Sequence, residues 1–299
     1  MSRPAWAGVL LAALIVAMVT ANNFVERRRK AASLAARLDR IVTIGDYTEV
    51  SCADVAATRP LVLLALGQSN AGNHGSAPTH AAEPVTVFAD GKCVIATDPL
   101  PGGTGTGGSI WQRLPALLAQ QKESRPIVLS PLAVDATTID DWTNPSSPLA
   151  KRLVSHVASM KHRGLPPDLV LWQQGEADAL RGTGSEQYSA GLDRLAAMLT
   201  EVGNDAPLVL ARSTICRSPP STEIRTAIEG RVSTNQRFRL GPDTDTLSSD
   251  SVRNSCHLTS AGLDSAAKMW ATAISTEAST IRRTTKPYLT RAQAVDPGI

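Results

Sequence analysis

The chain has 299 residues, of which 42% are hydrophobic and 19% charged, and its net charge is +3. That supports one large or two small globular domains with a full core, not a disordered chain. The charge is too small to imply a nucleic-acid partner. Part of it sits in one run, Glu26–Lys30, which reads as a solvated or headgroup-facing flank.

The N-terminus opens with Arg3 and an uncharged stretch from Pro4 to Asn23, most apolar over Ala5–Val19. This is the upper end of a signal-peptide apolar region and short of the ~20 residues a spanning helix prefers. Val19-Thr20-Ala21 is similar to a small-residue cleavage site. Residues 1–25 therefore read as a cleaved signal peptide or an uncleaved membrane anchor. The basic run behind them would stay cytoplasmic under the positive-inside rule. The cysteines argue the other way. Cys52, Cys93, Cys216 and Cys256 form no CxxC pair, and an even number behind an export-like segment suggests disulfides. Of the three connectivities, Cys52–Cys93 and Cys216–Cys256 are preferred, because each ties together segments flanking the candidate site below. The expected location is periplasmic, extracellular or membrane-anchored, with a cytosol-facing anchor as the alternative.

Residues 26–58 read as a leading segment with a short helix. Continuous apolar runs bounded by turn residues then predict buried parallel strands over 61–66, 126–134, 168–174 and 207–215. A weaker pair over 84–96 predicts a hairpin turning at Asp90-Gly91. Helical patterns fall at 109–122, 147–163, 185–203, 221–235 and 260–282. The alternation predicts an α/β fold, a three-layer α/β/α sandwich around a mostly parallel sheet of about five strands, over 59–282. Residues 283–299 read as a loose tail. Ligands of such sheets sit beyond the carboxyl ends of the strands, where Gly67–Asn70 and Gln173–Asp178 fall.

The stretch Gly67-Gln68-Ser69-Asn70 raises a chemical question. A serine at the end of a buried strand is usually a turn residue. It becomes a nucleophile only beside a base, with donors for the oxyanion. The G-x-S-x-G elbow is absent. The base must come from His74, His80, His156, His162 or His257. His156 and His162 lie in a helix with Lys and Arg and read as solvated. His80 is in a loop, and His74 follows the serine closely enough to meet substrate. His257 lies in the loop before the last helix, where it can lean over the strand ends.

Three separated segments resemble the SGNH (GDSL-like) hydrolases, in their sialate O-acetylesterase and acetylxylan-esterase branch. They are GQSN at 67–70, WQQGEAD at 172–178 and RNSCHLTSAG at 253–262. The resemblance implies an SGNH, flavodoxin-like fold. It makes Ser69 the nucleophile and His257 its general base. The implied oxyanion hole uses the Ser69 N–H, the N–H of Gly107 or Gly108, and the Gln174 amide. Gln68, Asn70 and His74 become candidate substrate contacts. The chemistry is acyl transfer through an acyl-enzyme. It needs no metal or cofactor, and no cluster at metal-ligand spacing appears.

Two departures matter. The family's last block usually carries Asp three residues before the histidine, where this chain has Asn254. An amide can orient the imidazole but supplies no charge, although cysteine proteases use Asn in that place. Glu176 is the preferred substitute carboxylate, and Asp250 a less favoured helper. Asp178 reads as structural. The second departure is Asp135-Ala136-Thr137-Thr138, where relatives often carry Gly-Gly-Thr/Ser. That loop should line the site, and Trp142 beyond it is a candidate for stacking on a sugar. Arg212 and Arg217 read as solvated, with an acidic sugar as the alternative. The leading expectation is a serine esterase removing O-acetyl groups from a sialate- or xylan-type carbohydrate. The rivals are a lipid or aryl esterase or thioesterase on the same site, and a catalytically impaired carbohydrate-binding protein on the same fold.

Overall fold

A computed structural model describes residues 28–76 and 83–284, together with Val16 and Met18. The expected signal or anchor, the tail beyond Thr284 and His80 lie outside the described residues, apart from those two.

The sheet grows from β2 (Leu61–Gly67), in which every residue is buried. On one side β2 pairs in parallel with β5 (Ile127–Ala133), and on the other with β6 (Leu169–Gln173). β7 (Leu208–Arg212) and β8 (Phe238–Asp243) extend it beyond β6, also in parallel. Beyond β5 comes β3 (Val85–Ala89), then β4 (Lys92–Ala96) and β1 (Thr48–Val50). β3 is parallel to β5, and β4 is antiparallel to both β3 and β1. The β3–β4 turn is Asp90-Gly91, with φ of 46° and 78°. Two positive φ values in a two-residue loop match the right-handed twist of the strands.

Among the described residues the sheet thus has eight strands, against the expected sheet of about five, and β8 and β1 are the two that no predicted run covers. β8 carries Arg239 and Gly241-Pro242, which break an apolar run. β1 is a three-residue edge with exposed residues. Neither produces the continuous apolar signal of a central strand.

Period-two alternation sends β2 side chains to two cores. Val62, Leu64 and Leu66 join Val128, Val170, Trp172 and Leu210 on one face. Leu61, Leu63 and Ala65 join Leu129, Leu171 and Val209 on the other. The first face is covered by α4 (Ile139–Thr143), α5 (Pro148–His162), α7 (Ser185–Glu201) and α8 (Thr222–Thr234). The second is covered by α3 (Leu114–Gln120) and α9 (Ser260–Thr284). Each fully buried Leu contributes about 1.5–3 kcal/mol, so β2 alone is a large share of a marginal folding free energy.

The leading segment is more than a connector. A helix, α1, covers 28–38 among the described residues and inserts Leu34 into the first core. α2 (Cys52–Ala57) starts at an N-cap, Ser51, whose side chain accepts from the Asp54 N–H. Both preferred disulfides are present. Cys52–Cys93 ties α2 to β4, and Cys216–Cys256 ties the loop after β7 to the segment before α9. Two disulfides fit an exported protein.

His156 departs from the sequence expectation. It is not a solvated residue of α5. Its Nε2 lies 2.7 Å from Ser130 Oγ, and its ring packs edge-on to Phe88. Burial pushes its pKa down to about 4, with Arg152 adding to the effect. His162 is exposed, as expected.

Candidate active site

The site lies at the carboxyl edge of β2. The strand ends at Gly67, whose φ is 146° and whose absent Cβ would sit 2.0 Å from the Gln173 carbonyl oxygen. Only glycine lets β2 leave the sheet so close to β6. The chain then makes one 3-10 turn, Ser69–Ala71, and all three residues are buried. The Ser69 N–H meets no acceptor among the described residues.

His257 reaches this edge on a small hairpin. β9 (Arg253–Asn254) and β10 (His257–Leu258) pair antiparallel, joined by Ser255 and Cys256. Ser255 adopts a positive φ of 58°. Four ties hold the hairpin. The Cys216–Cys256 bond fixes its tip, and Arg217 Nε donates to Ser255 Oγ at 3.0 Å. Arg253, 3% exposed, donates to the Thr244, Leu247 and Cys256 carbonyls. Asn70 Nδ2 donates to the Cys256 carbonyl at 2.8 Å. That last bond links the residue after Ser69 to the residue before His257. His74 stands beside His257 with ring centroids 5.2 Å apart.

Burial lowers the His257 pKa, Arg253 and Arg217 lower it further, and Asp135 opposes them. The same balance holds for His74, where burial dominates, Asp135 opposes, and His257 and Arg40 add. An imidazole kept neutral is competent as a base.

Glu176 opens α6 (Glu176–Arg181) and is 1% exposed. Its Oε1 accepts from Asn70 Nδ2 at 2.7 Å and Ser213 Oγ at 2.8 Å, while Oε2 has no hydrogen-bond partner among the described residues. Burial pushes its pKa up to about 7, against the pull of those two donors and Arg253. No hydrogen bond joins it to His257 among the described residues. It acts on the hairpin through Asn70 instead.

Several expected contacts fall elsewhere. Asn254 is exposed and has no hydrogen bond to the His257 ring among the described residues, because its side chain leaves the hairpin toward solvent. Asp250 is exposed as well. The Gly107 N–H donates to the Asn73 carbonyl and that of Gly108 to the Ser76 carbonyl. Both donors are therefore engaged in loop pairing and do not face an oxyanion. Gln174 Nε2 is held by Asp178 Oδ2 at 2.6 Å and the Thr137 carbonyl at 2.9 Å, so it is a core amide. Gln68 is not free for substrate either, since its Oε1 accepts from the Ala177 N–H. Trp142 has no exposed surface. Its indole N–H donates to Thr137 Oγ1 and its ring packs edge-on to Trp172, so it cannot stack on a sugar. Asn70 is a bridge within the protein. Asp178 accepts from the Ile139 N–H and the Thr183 hydroxyl, joining the start of α4 to the loop after α6. Arg212 pairs with Glu229 and Asp243.

Sequence reasoning did not single out Ser213, Thr104, Arg37 or Arg40. His74 Nε2 lies 3.1 Å from Thr104 Oγ1, and that hydroxyl oxygen accepts from the Asp135 N–H at 3.0 Å.

A buried serine turn at the end of the central parallel strand, faced by a histidine hairpin before the last helix, is the arrangement of SGNH-like hydrolases. Residues 61–276 match the family described as carbohydrate esterase, sialic acid-specific acetylesterase, and the chain belongs to that family. It is a carboxylic ester hydrolase of the carbohydrate acetylesterase kind. Solved structures share the fold. A protein from Arabidopsis thaliana superposes with a TM-score of 0.59 at 20% identity, covering 72% of this chain and 97% of that one. NanS gives 0.51 at 15% identity, over 75% and 97%. A carbohydrate acetylesterase from Xanthomonas citri gives 0.52 at 14%, over 73% of this chain and 56% of that one. No curated protein matches the sequence significantly.

Proposed function

We propose that the chain is a serine esterase that removes O-acetyl groups from a sialate- or xylan-type carbohydrate outside the cytoplasm. The observation that carries this reading is the Asn70–Cys256 bond, which brings the Ser69 turn and the His257 hairpin together. Ser69 Oγ attacks the acetyl carbonyl while His257 accepts its proton. The negative oxygen that forms is met by the Ser69 N–H. His257 returns the proton to the departing sugar oxygen, which leaves an acetyl-Ser69 ester. Water then attacks that ester as His257 takes one of its protons, His257 passes that proton to the departing Ser69 Oγ, and acetic acid leaves. Glu176, Asn70 and Arg253 position the hairpin. The reacting part is residues 59–282, and the N-terminal segment directs it to, or holds it at, the envelope.

The test is hydrolysis of an aryl acetate and of O-acetylated sialic acid and xylan oligosaccharides by wild type, Ser69→Ala and His257→Ala. Loss of ~10⁴-fold or more in kcat in both variants is expected. Activity retained in a folded Ser69→Ala variant would remove the serine mechanism.

A further inference from the structure

The family match begins at residue 61, yet the chain before it reaches the active site. The Val42 N–H donates to the Gly103 carbonyl, the Gly102 N–H donates to the Val42 carbonyl, and Ile41 bridges Thr104. From α1, Arg37 Nη1 donates to the Asp135 carbonyl at 2.8 Å. Arg40, just beyond α1, places Nη2 3.1 and 3.3 Å from the two Asp135 carboxylate oxygens. Asp135 stands two residues past Ala133, which pairs with Gly67, the residue at which β2 ends before the Ser69 turn. Its backbone N–H and His74 Nε2 meet on the same Thr104 hydroxyl, and His74 lies against His257.

We propose that the leading segment is a working part of the active site, with Arg37 and Arg40 holding Asp135 as the carboxylate that supports the His74–His257 pair. This inference rests on His257 being the general base. The other carboxyl-bearing side chains near the hairpin do not serve. Glu176 is bonded to Asn70 and Ser213, and Asp250 is exposed. The charge acting on both imidazoles in the sense that favours their protonated forms is that of Asp135. Arg253 and Arg217 act oppositely on His257, as Arg40 and His257 do on His74. Asp135 is a positioning and electrostatic residue. It stabilises the imidazolium that forms when Ser69 is deprotonated, which is the service Asn254 cannot provide.

The experiment titrates the His74 and His257 imidazole resonances by NMR in the full chain as wild type, Asp135→Asn, Arg40→Gln and Arg40→Lys. kcat and KM for an aryl acetate are measured across the same pH range. Asp135→Asn should move the His257 titration and the acid limb of kcat/KM to lower pH, and lower kcat with KM unchanged. Arg40→Gln, which unmasks the Asp135 charge, should move the limb to higher pH. Its kcat should change by no more than about fivefold, since the lost ion pair loosens Asp135 while the freed charge favours the imidazolium. Arg40→Lys should restore the wild-type limb. A His257 titration unmoved in Asp135→Asn would overturn the proposal, and so would an effect of Arg40→Gln confined to KM, which would make Arg40 a substrate contact. The NMR readout does not depend on turnover, so a wild type inactive on every ester would defeat the esterase reading while still deciding the Asp135 link.

Discussion

Glu176 combines two demands that conflict. Its carboxyl anchors Asn70 and Ser213 in the site, yet Oε2 has no partner among the described residues and the group is buried. Its folded pKa of about 7 lies above the ordinary glutamate value of 4.5. The folded state therefore holds the proton more tightly, and stability falls as pH rises from 4.5 through 7. Glu176→Gln should remove that loss. Urea denaturation should find the variant gaining ~3 kcal/mol on the wild type between pH 4.5 and pH 8. The same variant should have lower esterase activity, because its amide accepts less strongly from Asn70. A difference curve flat with pH would mean that the carboxyl is already solvated. At the same scale, Gly67→Ala should cost roughly 1–3 kcal/mol or more in the same assay, since a Cβ there meets the Gln173 carbonyl.

At the scale of elements, the His257 hairpin has only two residues per strand and depends on its ties. The Cys216–Cys256 bond closes a loop of sequence separation 40. In the chain-entropy account such a closure contributes roughly 4 kcal/mol. A Cys216→Ser/Cys256→Ser double variant should lose stability of that order and lose kcat beyond what its folded fraction explains. Thermal melts and active-site titration would separate the two losses. The elements also show what was legible in sequence. β2, β5, β6 and β7 were readable because buried parallel strands are continuously apolar, and so were the long helices. The Ser69 and His257 segments were readable because strand ends and helix starts fix where they point. The oxyanion glycines were not, because the pairing of Gly107 with Asn73 and Gly108 with Ser76 joins loops about 30 residues apart. Trp142 and Gln174 were misplaced for a similar reason, since their partners come from β6, the loop at Thr137, α6 and α7. His156 did carry a signal. It falls three residues after Leu153 and four before Met160, on the buried face of α5.

For the molecule as a whole, pH stability joins the two layers of the sandwich to the site. His156 under the sheet has a folded pKa of about 4 against the ordinary histidine value of 6.5. Its neutral form is favoured by folding, so stability falls as pH drops from 6.5 through 4. Glu176 acts in the opposite sense over 4.5 to 7, and the two slopes oppose each other where they overlap. A His156→Gln variant, measured against wild type by denaturant midpoint, should gain relative stability as pH falls below 6.5. A difference that does not vary with pH would show that His156 has the same pKa in the folded and unfolded states.

The bond between Cys216 and Cys256 has one more consequence. It couples the proposed general base to the redox state of its surroundings, because the bond forms only where thiols are oxidised. Before it forms, the two-residue ladder under His257 is held only by hydrogen bonds, those of Arg217, Arg253 and Asn70 among them. On the proposed serine mechanism the bond then works as a delayed arming step.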